Sequence, residues 1–170
     1  MHRLHLLRHA KAEPDSEQDD RERRLSRRGR DDARRLGATL PKALGRLDLV
    51  LCSPARRTRE TAELALAGVV PRPRIVFEDA LYLAPAAALL HRLRAADESA
   101  AAVLVIGHNP GLYQLALALA AAKGAAYRAF AAGRFPSAAR ASFAVETPWA
   151  MLGRSPHALT GYAAPSPPAD

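Results

Sequence analysis

Short apolar runs alternate with longer segments of helical periodicity along most of the chain. The apolar runs predict strands at residues 4–7, 47–52, 74–77, 102–106 and 141–145. Leucine and alanine at helical spacing predict helices at residues 27–44, 54–67, 85–96 and 111–122. Because the two kinds of element alternate and the strands are apolar on both faces, the predicted fold class is α/β. It is expected to be a three-layer sandwich with a mostly parallel central sheet.

Two serines stand where helices are expected to begin. Ser26 precedes the first helical segment, and Ser53 precedes Pro54, a residue type that favours the first helical position. A serine hydroxyl at the N-cap accepts a hydrogen bond from a backbone N–H of the first turn. Both serines are therefore predicted to cap helices.

The length and the single cysteine limit the domain organisation. The chain has 170 residues, of which 49% are hydrophobic, and this is enough for one domain with a proper core. We assign residues 1–147 to that domain and residues 148–170 to a C-terminal extension, whose end, PSPPAD, is predicted to be disordered. Cys52 is the one cysteine, which excludes a disulfide within the chain. Without a signal peptide or a membrane-length apolar run, a cytoplasmic protein with no membrane contact is expected.

The net charge of +8 favours an anionic partner, although a bias toward arginine across the whole sequence also explains it. No nucleic-acid motif or interleaved aromatic pattern is present, so nucleic acid is not the expected partner. His5 and His9 lie four residues apart on one predicted strand, but no carboxylate or cysteine set accompanies them. Neither a metal nor another cofactor is therefore expected.

Cationic and imidazole side chains follow three of the predicted strands. In open α/β sheets ligands bind beyond the carboxyl ends of the strands, and parallel neighbours bring those ends together. Guanidinium forks match phosphate oxygens, and a neutral imidazole can attack phosphorus to form a phosphohistidine that water then hydrolyses. Surrounding cations would keep that imidazole unprotonated. The residues at the three strand ends are Arg8 and His9, then Ser53, Arg56 and Arg57, then His108 and Asn109.

Four segments, in order, resemble the conserved blocks of the histidine phosphatase superfamily, also called the phosphoglycerate-mutase-like family. They are LLRHAKAE, RRLSRRG, SPARRTRETA and VIGHNPGL. Ala10 replaces the glycine that usually follows the histidine, as is common in the short SixA-type phosphohistidine phosphatases. In the second block, Arg24 and Ser26 replace the proline and threonine of the subfamily. The resemblance extends over roughly residues 1–145.

The resemblance implies a phosphoglycerate-mutase-like fold and a covalent intermediate on His9. It implies that Arg8, Arg57 and His108 bind phosphate, and it selects Arg57 over Arg56. Arg23 is expected at the rim of the pocket. Ser53 and Asn109, at the strand ends, are further candidates for binding the substrate.

The four blocks do not identify a general acid for the predicted site. Glu78 and Asp79 follow the third strand and are the candidates. An alkoxide leaves poorly without an acid, whereas a protonated imidazole leaves well. Together with short loops, this favours a phosphohistidine on another protein as the substrate. Two alternatives stay open: a phosphomonoesterase for a small phosphorylated substrate, and a non-catalytic module that binds anions.

Overall fold

Six strands form one sheet with helices on both faces in the computed structural model, which describes residues 1–15, 17 and 19–166. The strands are β1 (His2–Arg8), β2 (Leu49–Cys52), β3 (Arg74–Phe77), β4 (Ala102–Gly107), β5 (Arg140–Val145) and β6 (Ala158–Ala163). The helices are α1 (Arg27–Leu44), α2 (Arg56–Ala65), α3 (Ala86–Arg94), α4 (Gly111–Leu119) and α5 (Gly124–Gly133). Short 3-10 helices lie at Asp20–Glu22, Asp79–Leu81 and Trp149–Met151.

The strand order places the predicted site at the carboxyl ends of neighbouring central strands. The order is β3-β2-β4-β1-β5-β6. Strands β3, β2, β4 and β1 pair in parallel, whereas β5 is antiparallel to both β1 and β6. The predicted α/β class with a mostly parallel sheet is therefore confirmed. The carboxyl ends of β1, β2 and β4 lie next to one another, because these three strands run side by side in one direction.

Alternating side chains of the central strands separate the two halves of the core. Leu4 and Leu6 of β1 pack with α3, α4 and α5, whereas Leu7 packs on the other face with Leu40 and Leu44 of α1. Strand β4 divides in the same way, because Val103 and Val105 belong to the first half of the core and Leu104 and Ile106 belong to the second. The sheet is thus covered on both faces, as the continuous apolar strands predicted.

One glycine fixes α1 against the loop that follows β1. A Cβ at Gly29 would overlap the backbone carbonyl oxygen of Lys11, so no other residue allows the same approach. Ser26 caps α1 as predicted, because its hydroxyl accepts a hydrogen bond from the Gly29 N–H at 3.0 Å. The loop after β1 is therefore attached to the start of α1.

The start of α2 differs from the prediction. The N-cap is Ala55, and it makes no side-chain capping bond, so the prediction that Ser53 caps this helix is wrong. The helix begins two residues later because the Thr58 hydroxyl bonds to the carbonyls of Ser53 and Ala55, each at 2.7 Å. The Ser53 hydroxyl is thereby left to contact a different side chain.

The C-terminal part of the chain is joined to the sheet. Strand β6, at Ala158–Ala163, pairs with β5. The sheet therefore includes residues beyond position 147, where the end of the domain was predicted. The disorder predicted for PSPPAD falls largely on residues 167–170, which lie outside the described part of the chain. Across the described residues, no helix combines the length and the apolar character needed to cross a bilayer.

Candidate active site

His9 stands just beyond β1 with its backbone held on both sides. Its N–H donates to the carbonyl of Gly107 at the end of β4, at 3.1 Å, and its own carbonyl accepts from Ala138 N–H at 3.0 Å. The imidazole is 8% exposed. The parallel pairing of β1 with β4 therefore decides where this ring lies.

The tautomer of the His9 ring follows from its hydrogen bond. Nδ1 lies 2.7 Å from the carbonyl oxygen of Ala10, which can only accept, so Nδ1 carries the hydrogen. The lone pair of the neutral ring is then on Nε2. The backbone of Ala10 is itself held one peptide earlier, because the Ala10 N–H donates to the Thr61 hydroxyl at 3.0 Å and that hydroxyl donates to the Arg57 carbonyl at 2.7 Å. Sequence reasoning missed Thr61, although it lies inside the matched block SPARRTRETA.

Burial and neighbouring cations keep this imidazole neutral. Burial is the largest cause that lowers the pKa of His9 to about 4, and Arg57, Arg8 and Arg23 lower it further. The hydrogen bond to Ala10 opposes this shift only in part. At neutral pH the Nε2 lone pair is therefore available to attack an electrophile.

His108 follows β4 and faces the His9 ring, with the two ring centroids 5.3 Å apart. Arg57 donates toward its Nδ1 at 3.4 Å, so the neutral ring carries its hydrogen on Nε2 and donates it to the Ser53 hydroxyl at 2.7 Å. Burial, the His9 ring and Arg57 lower the pKa of His108 to about 3. Ser53, a candidate for binding the substrate, thus contacts this second imidazole.

The two arginines predicted to bind phosphate reach the same place from different elements. Arg57, in the first turn of α2, is 1% exposed, and Arg8 ends β1 with its Nη1 donating to the Phe135 carbonyl at 3.2 Å. Among the described residues, the buried Nε atoms of both side chains have no hydrogen-bond partner. Buried donors are normally satisfied, so these N–H groups indicate a site for an anion.

Asp20 is the carboxylate next to this cluster, and sequence reasoning missed it. Arg57 donates to the Asp20 carbonyl at 2.7 Å and to its carboxylate at 3.0 Å, and the Tyr82 hydroxyl donates to the same carboxylate. Partial burial alone would raise the pKa of Asp20, but the hydrogen bonds from Tyr82 and Arg57 lower it to about 2. Asp20 is therefore ionised at neutral pH, where it orients Arg57 and compensates part of its charge.

Arg23 and Asn109, two further candidates for binding the substrate, make hydrogen bonds to groups beside the cluster. Arg23 donates to the Asp20 carboxylate at 3.0 Å and to the Glu13 carbonyl at 3.2 Å, so it reaches Arg57 through Asp20. Asn109 donates to the Phe135 carbonyl at 2.7 Å, which is the carbonyl that Arg8 also uses. Its buried Oδ1 has no partner among the described residues.

The structure does not bring the two candidate acids to the imidazoles. Glu78 forms a two-pronged ion pair with Arg92 of α3, with N–O distances of 2.8 to 3.0 Å. Asp79 pairs with Arg21 at 3.0 Å, and its side chain is 82% exposed. Both carboxylates therefore have their hydrogen bonds outside the cluster, because the backbone turns into a 3-10 helix right after β3. Within the described ranges, no three His, Cys, Asp or Glu side chains group together as a metal site requires.

Comparisons with known proteins agree with this geometry. Residues 4–81 match the profile of the "Histidine phosphatase superfamily (branch 1)". An uncharacterized protein of Mycobacterium tuberculosis is 32% identical over 161 residues, which cover 94% of this chain and 99% of that protein. Its similarity therefore runs through both the matched segment and the C-terminal half.

Solved structures resemble the chain over nearly its whole length. A Nakamurella multipartitia protein, proposed to be the phosphohistidine phosphatase SixA, has a TM-score of 0.81 and 27% identity over 96% of each chain. A protein of the same proposed identity from Agrobacterium tumefaciens has a TM-score of 0.80 and 26% identity, covering 96% of this chain and 98% of that one. The protein histidine phosphatase SixA bound to tungstate shares the fold, with a TM-score of 0.74 and 22% identity over 94% of this chain and 95% of that one. The fold is thus phosphoglycerate-mutase-like, as predicted. The chain belongs to the histidine phosphatase superfamily.

Proposed function

We propose that the protein is a phosphohistidine phosphatase, which removes a phosphoryl group from a histidine of another protein through a covalent phosphohistidine on His9. The observation that carries this proposal is the neutral His9 ring with its Nε2 lone pair free, next to His108 and two arginines. The family is one of phosphatases, and two of the similar structures are proposed to be phosphohistidine phosphatases.

The reaction divides into two displacements at phosphorus. In the first, the His9 Nε2 lone pair forms a bond to phosphorus while the bond to the substrate nitrogen breaks. The electron pair of that bond returns to the substrate ring, which leaves as neutral imidazole if its distal nitrogen is already protonated. In the second, a water oxygen attacks phosphorus, the bond to Nε2 breaks, and its electron pair returns to His9. Inorganic phosphate and the proton from water are released.

The surrounding donors supply positioning and charge, which dominate phosphoryl transfer. The Nε–H groups of Arg8 and Arg57, which have no partner among the described residues, are assigned to the phosphoryl oxygens. The His108 ring lies next to Arg57 and is assigned the same role. The Asp20 carboxylate orients Arg57 by accepting a hydrogen bond from it, and the same carboxylate accepts a hydrogen bond from Arg23. No metal ion is required for any of these roles, so we expect full activity in the presence of a chelator.

The carboxylates favour a phosphorus–nitrogen bond as the one that is cleaved. Glu78 and Asp79 are bound to arginines, and Asp20, with a pKa of about 2, holds no proton at neutral pH. A leaving alkoxide would need a proton from such a group, whereas imidazole, with an ordinary pKa near 6.5, does not. A phosphorylated protein is therefore favoured over a small phosphorylated substrate.

Trapping of the labelled enzyme tests the proposal. The protein is mixed with a radiolabelled phosphohistidine-bearing protein domain and quenched in alkali, in which phosphohistidine survives. Wild-type protein should carry label and release phosphate, and His9→Ala should do neither, whereas the exposed His91→Ala should match wild type. Label on His9→Ala would contradict the covalent role of this residue.

Paired arginine variants and a substrate panel complete the test. Arg57→Ala should lower kcat/KM by roughly a hundredfold or more. The matched control is Arg56→Ala, because Arg56 is exposed and paired with Glu60, and it should stay near wild type. A higher kcat/KM for a small phosphate ester than for the phosphohistidine domain would favour the phosphomonoesterase alternative. Binding of phosphate without turnover of any substrate would favour the non-catalytic alternative.

A further inference from the structure

A cavity with both apolar and cationic side chains in its lining lies on the face of the sheet beside β1, β5, β6 and the end of α1. It has a volume of about 420 Å³. In the register of these strands, His5 of β1 pairs with Ser142 of β5, and Ser142 pairs with Gly161 of β6. We call this space the β1–β5 cavity. Its lining includes Arg3, His5, Leu44, Arg140, Ser142 and Gly161.

Among the residues that the structure describes, the lining of the β1–β5 cavity carries positive charge and no carboxylate. Arg3 donates to the carbonyls of Leu44 and Arg46, at 2.9 and 3.0 Å, and so closes the end of α1. Arg140 is partly buried, which lowers its pKa. Within residues 1–15, 17 and 19–166, neither arginine forms an ion pair. A guanidinium taken partly out of water favours a counter-anion.

The hydrogen bond to Ser142 bears on which nitrogen of the His5 ring carries its hydrogen. Arg140 can only donate, and it donates to the Ser142 hydroxyl oxygen at 2.5 Å. We assign the hydroxyl as the donor to His5 Nδ1, which is 2.8 Å away, an assignment that the ring tautomer tests. A neutral ring that accepts at Nδ1 carries its hydrogen on Nε2. Burial, Arg140 and Arg3 lower the pKa of His5 to about 3, so the ring is neutral at physiological pH.

The Nε2 atom of His5 has no hydrogen-bond partner among the described residues, although His5 is only 3% exposed. An unsatisfied donor at this depth costs free energy unless a ligand or water accepts from it. Gly161 adds no side chain to the cavity next to Ser142 and Arg140. A Cβ at this position would already be in van der Waals contact, at 3.7 Å from Ser142 Cβ and 3.8 Å from Arg140 Nη1. A larger side chain at this position would fill the cavity.

We propose that the β1–β5 cavity binds a small oxyanion, a phosphate or carboxylate group, which accepts from His5 Nε2–H and is neutralised by Arg140 and Arg3. Four residues of extended strand, about 13 Å, separate His5 from His9. The cavity is therefore a site distinct from the candidate active site. Its donors are all fixed by the sheet or by α1, so the site is formed before the anion arrives.

Histidine-selective NMR on the full chain tests this site directly. Protein labelled with ¹⁵N in its histidine rings is titrated with inorganic phosphate and with malonate, against potassium chloride at matched ionic strength. The His5 signals are assigned by their loss in His5→Asn. We expect a hydrogen-bearing Nε2 on His5 and a saturable shift of its ring signals with phosphate, malonate or both, but not with chloride. The anion that saturates tells a phosphate site from a carboxylate site.

Variants of the cavity make the outcome decisive. Arg140→Gln should weaken the His5 response about tenfold or more, because it removes a charge-assisted hydrogen bond. Arg128→Gln, which removes an exposed arginine of α5, should leave it unchanged. If Arg140→Gln loses its folded spectrum, Gly161→Gln serves in its place, because it keeps every charge and fills the space. A hydrogen-free Nε2 on His5, no saturable response to either anion, or an equal response in the variants would overturn the proposal.

Discussion

Two histidines, His5 within β1 and His9 just beyond its end, show how two buried imidazoles can have different chemistry. His5 and His9 lie four residues apart, both are buried, and nearby arginines help to lower the pKa of both. The difference is the partner of Nδ1. The carbonyl of Ala10 forces a hydrogen onto Nδ1 of His9, whereas we assign the Ser142 hydroxyl, which accepts from Arg140, as the donor to Nδ1 of His5.

The opposite ring nitrogen therefore carries a lone pair in His9 and a hydrogen in His5. The first arrangement suits a nucleophile and the second suits an anion receptor. The comparison teaches that burial and positive surroundings only make an imidazole neutral. The hydrogen-bond partner of the inner nitrogen decides what the outer nitrogen can do.

The largest expected effect separates the two histidines by activity. His9→Asn should lower turnover of a phosphohistidine protein by at least about a thousandfold, since it removes the attacking atom. His5→Asn should retain turnover within a few-fold, because the side-chain hydrogen bond that His5 makes among the described residues goes to Ser142 and to no residue around His9. The measurement is phosphate release under single-turnover conditions. Comparable losses in the two variants would remove the distinction between the two sites.

The pH dependence of stability should be of intermediate size and should treat the two histidines alike. His5, His9 and His108 have pKa values lowered to about 3, 4 and 3, against an unfolded value of 6.5. Below pH 6.5 the unfolded chain binds more protons, so the free energy of unfolding falls as pH falls toward 4 and is fully present above 6.5. Each group contributes about 1.4 kcal/mol per pH unit within that window.

Urea unfolding at several pH values between 5 and 6.5 measures this slope. His5→Asn and His9→Asn should each reduce it by the contribution of one group, while the exposed His91→Asn should leave it unchanged. A slope that does not respond to either buried variant would mean that these rings are not held neutral by the fold.

The smallest effect concerns the tautomer of His9. Thr61→Val keeps the shape of the side chain but leaves the Ala10 N–H without its acceptor, so the backbone of Ala10, whose carbonyl receives the His9 Nδ1–H, is less firmly held. We expect kcat to fall by about tenfold with little change in KM. Thr39→Val is the control, because Thr39 is exposed on α1 and bonds only to backbone carbonyls of its own helix. A change in KM alone would indicate a binding role for Thr61 instead.

Most of the sheet and of the helices could be predicted from the sequence. Strands β1, β2 and β4 are strongly apolar, and α1 has both a clear period and a serine cap. The two elements that were missed, α5 and β6, lack such signals. Helix α5 is rich in alanine and glycine with one buried residue, Phe130, and β6 contains a glycine and alternates weakly. Their formation depends on packing against each other and on pairing with β5, neither of which is a local property of the chain.

For the site, strand ends and family resemblance indicated the cationic side chains but not the groups that orient them. The groups that orient them contact residues far away in sequence, as Asp20, Thr61 and Tyr82 do. Their sequence neighbours distinguish none of the three from an ordinary loop or helix residue. Ser53 was expected to cap α2 and binds His108 instead, because Thr58 already bonds to the backbone at the start of the helix. Glu78 was a candidate acid on position alone, and its ion pair with Arg92 of α3 was not foreseeable from the sequence.

The sequence alone determined the class of fold and the imidazoles and guanidiniums that meet beyond the strands, because apolar periodicity and residue type at a strand end are local properties. Only the tertiary structure decided the hydrogen-bond partners of those groups, since a carbonyl, a hydroxyl or a carboxylate reaches them through parallel pairing and loop packing. The protonation state and tautomer of a buried imidazole depend on those partners, and its reactivity therefore belongs to the folded protein.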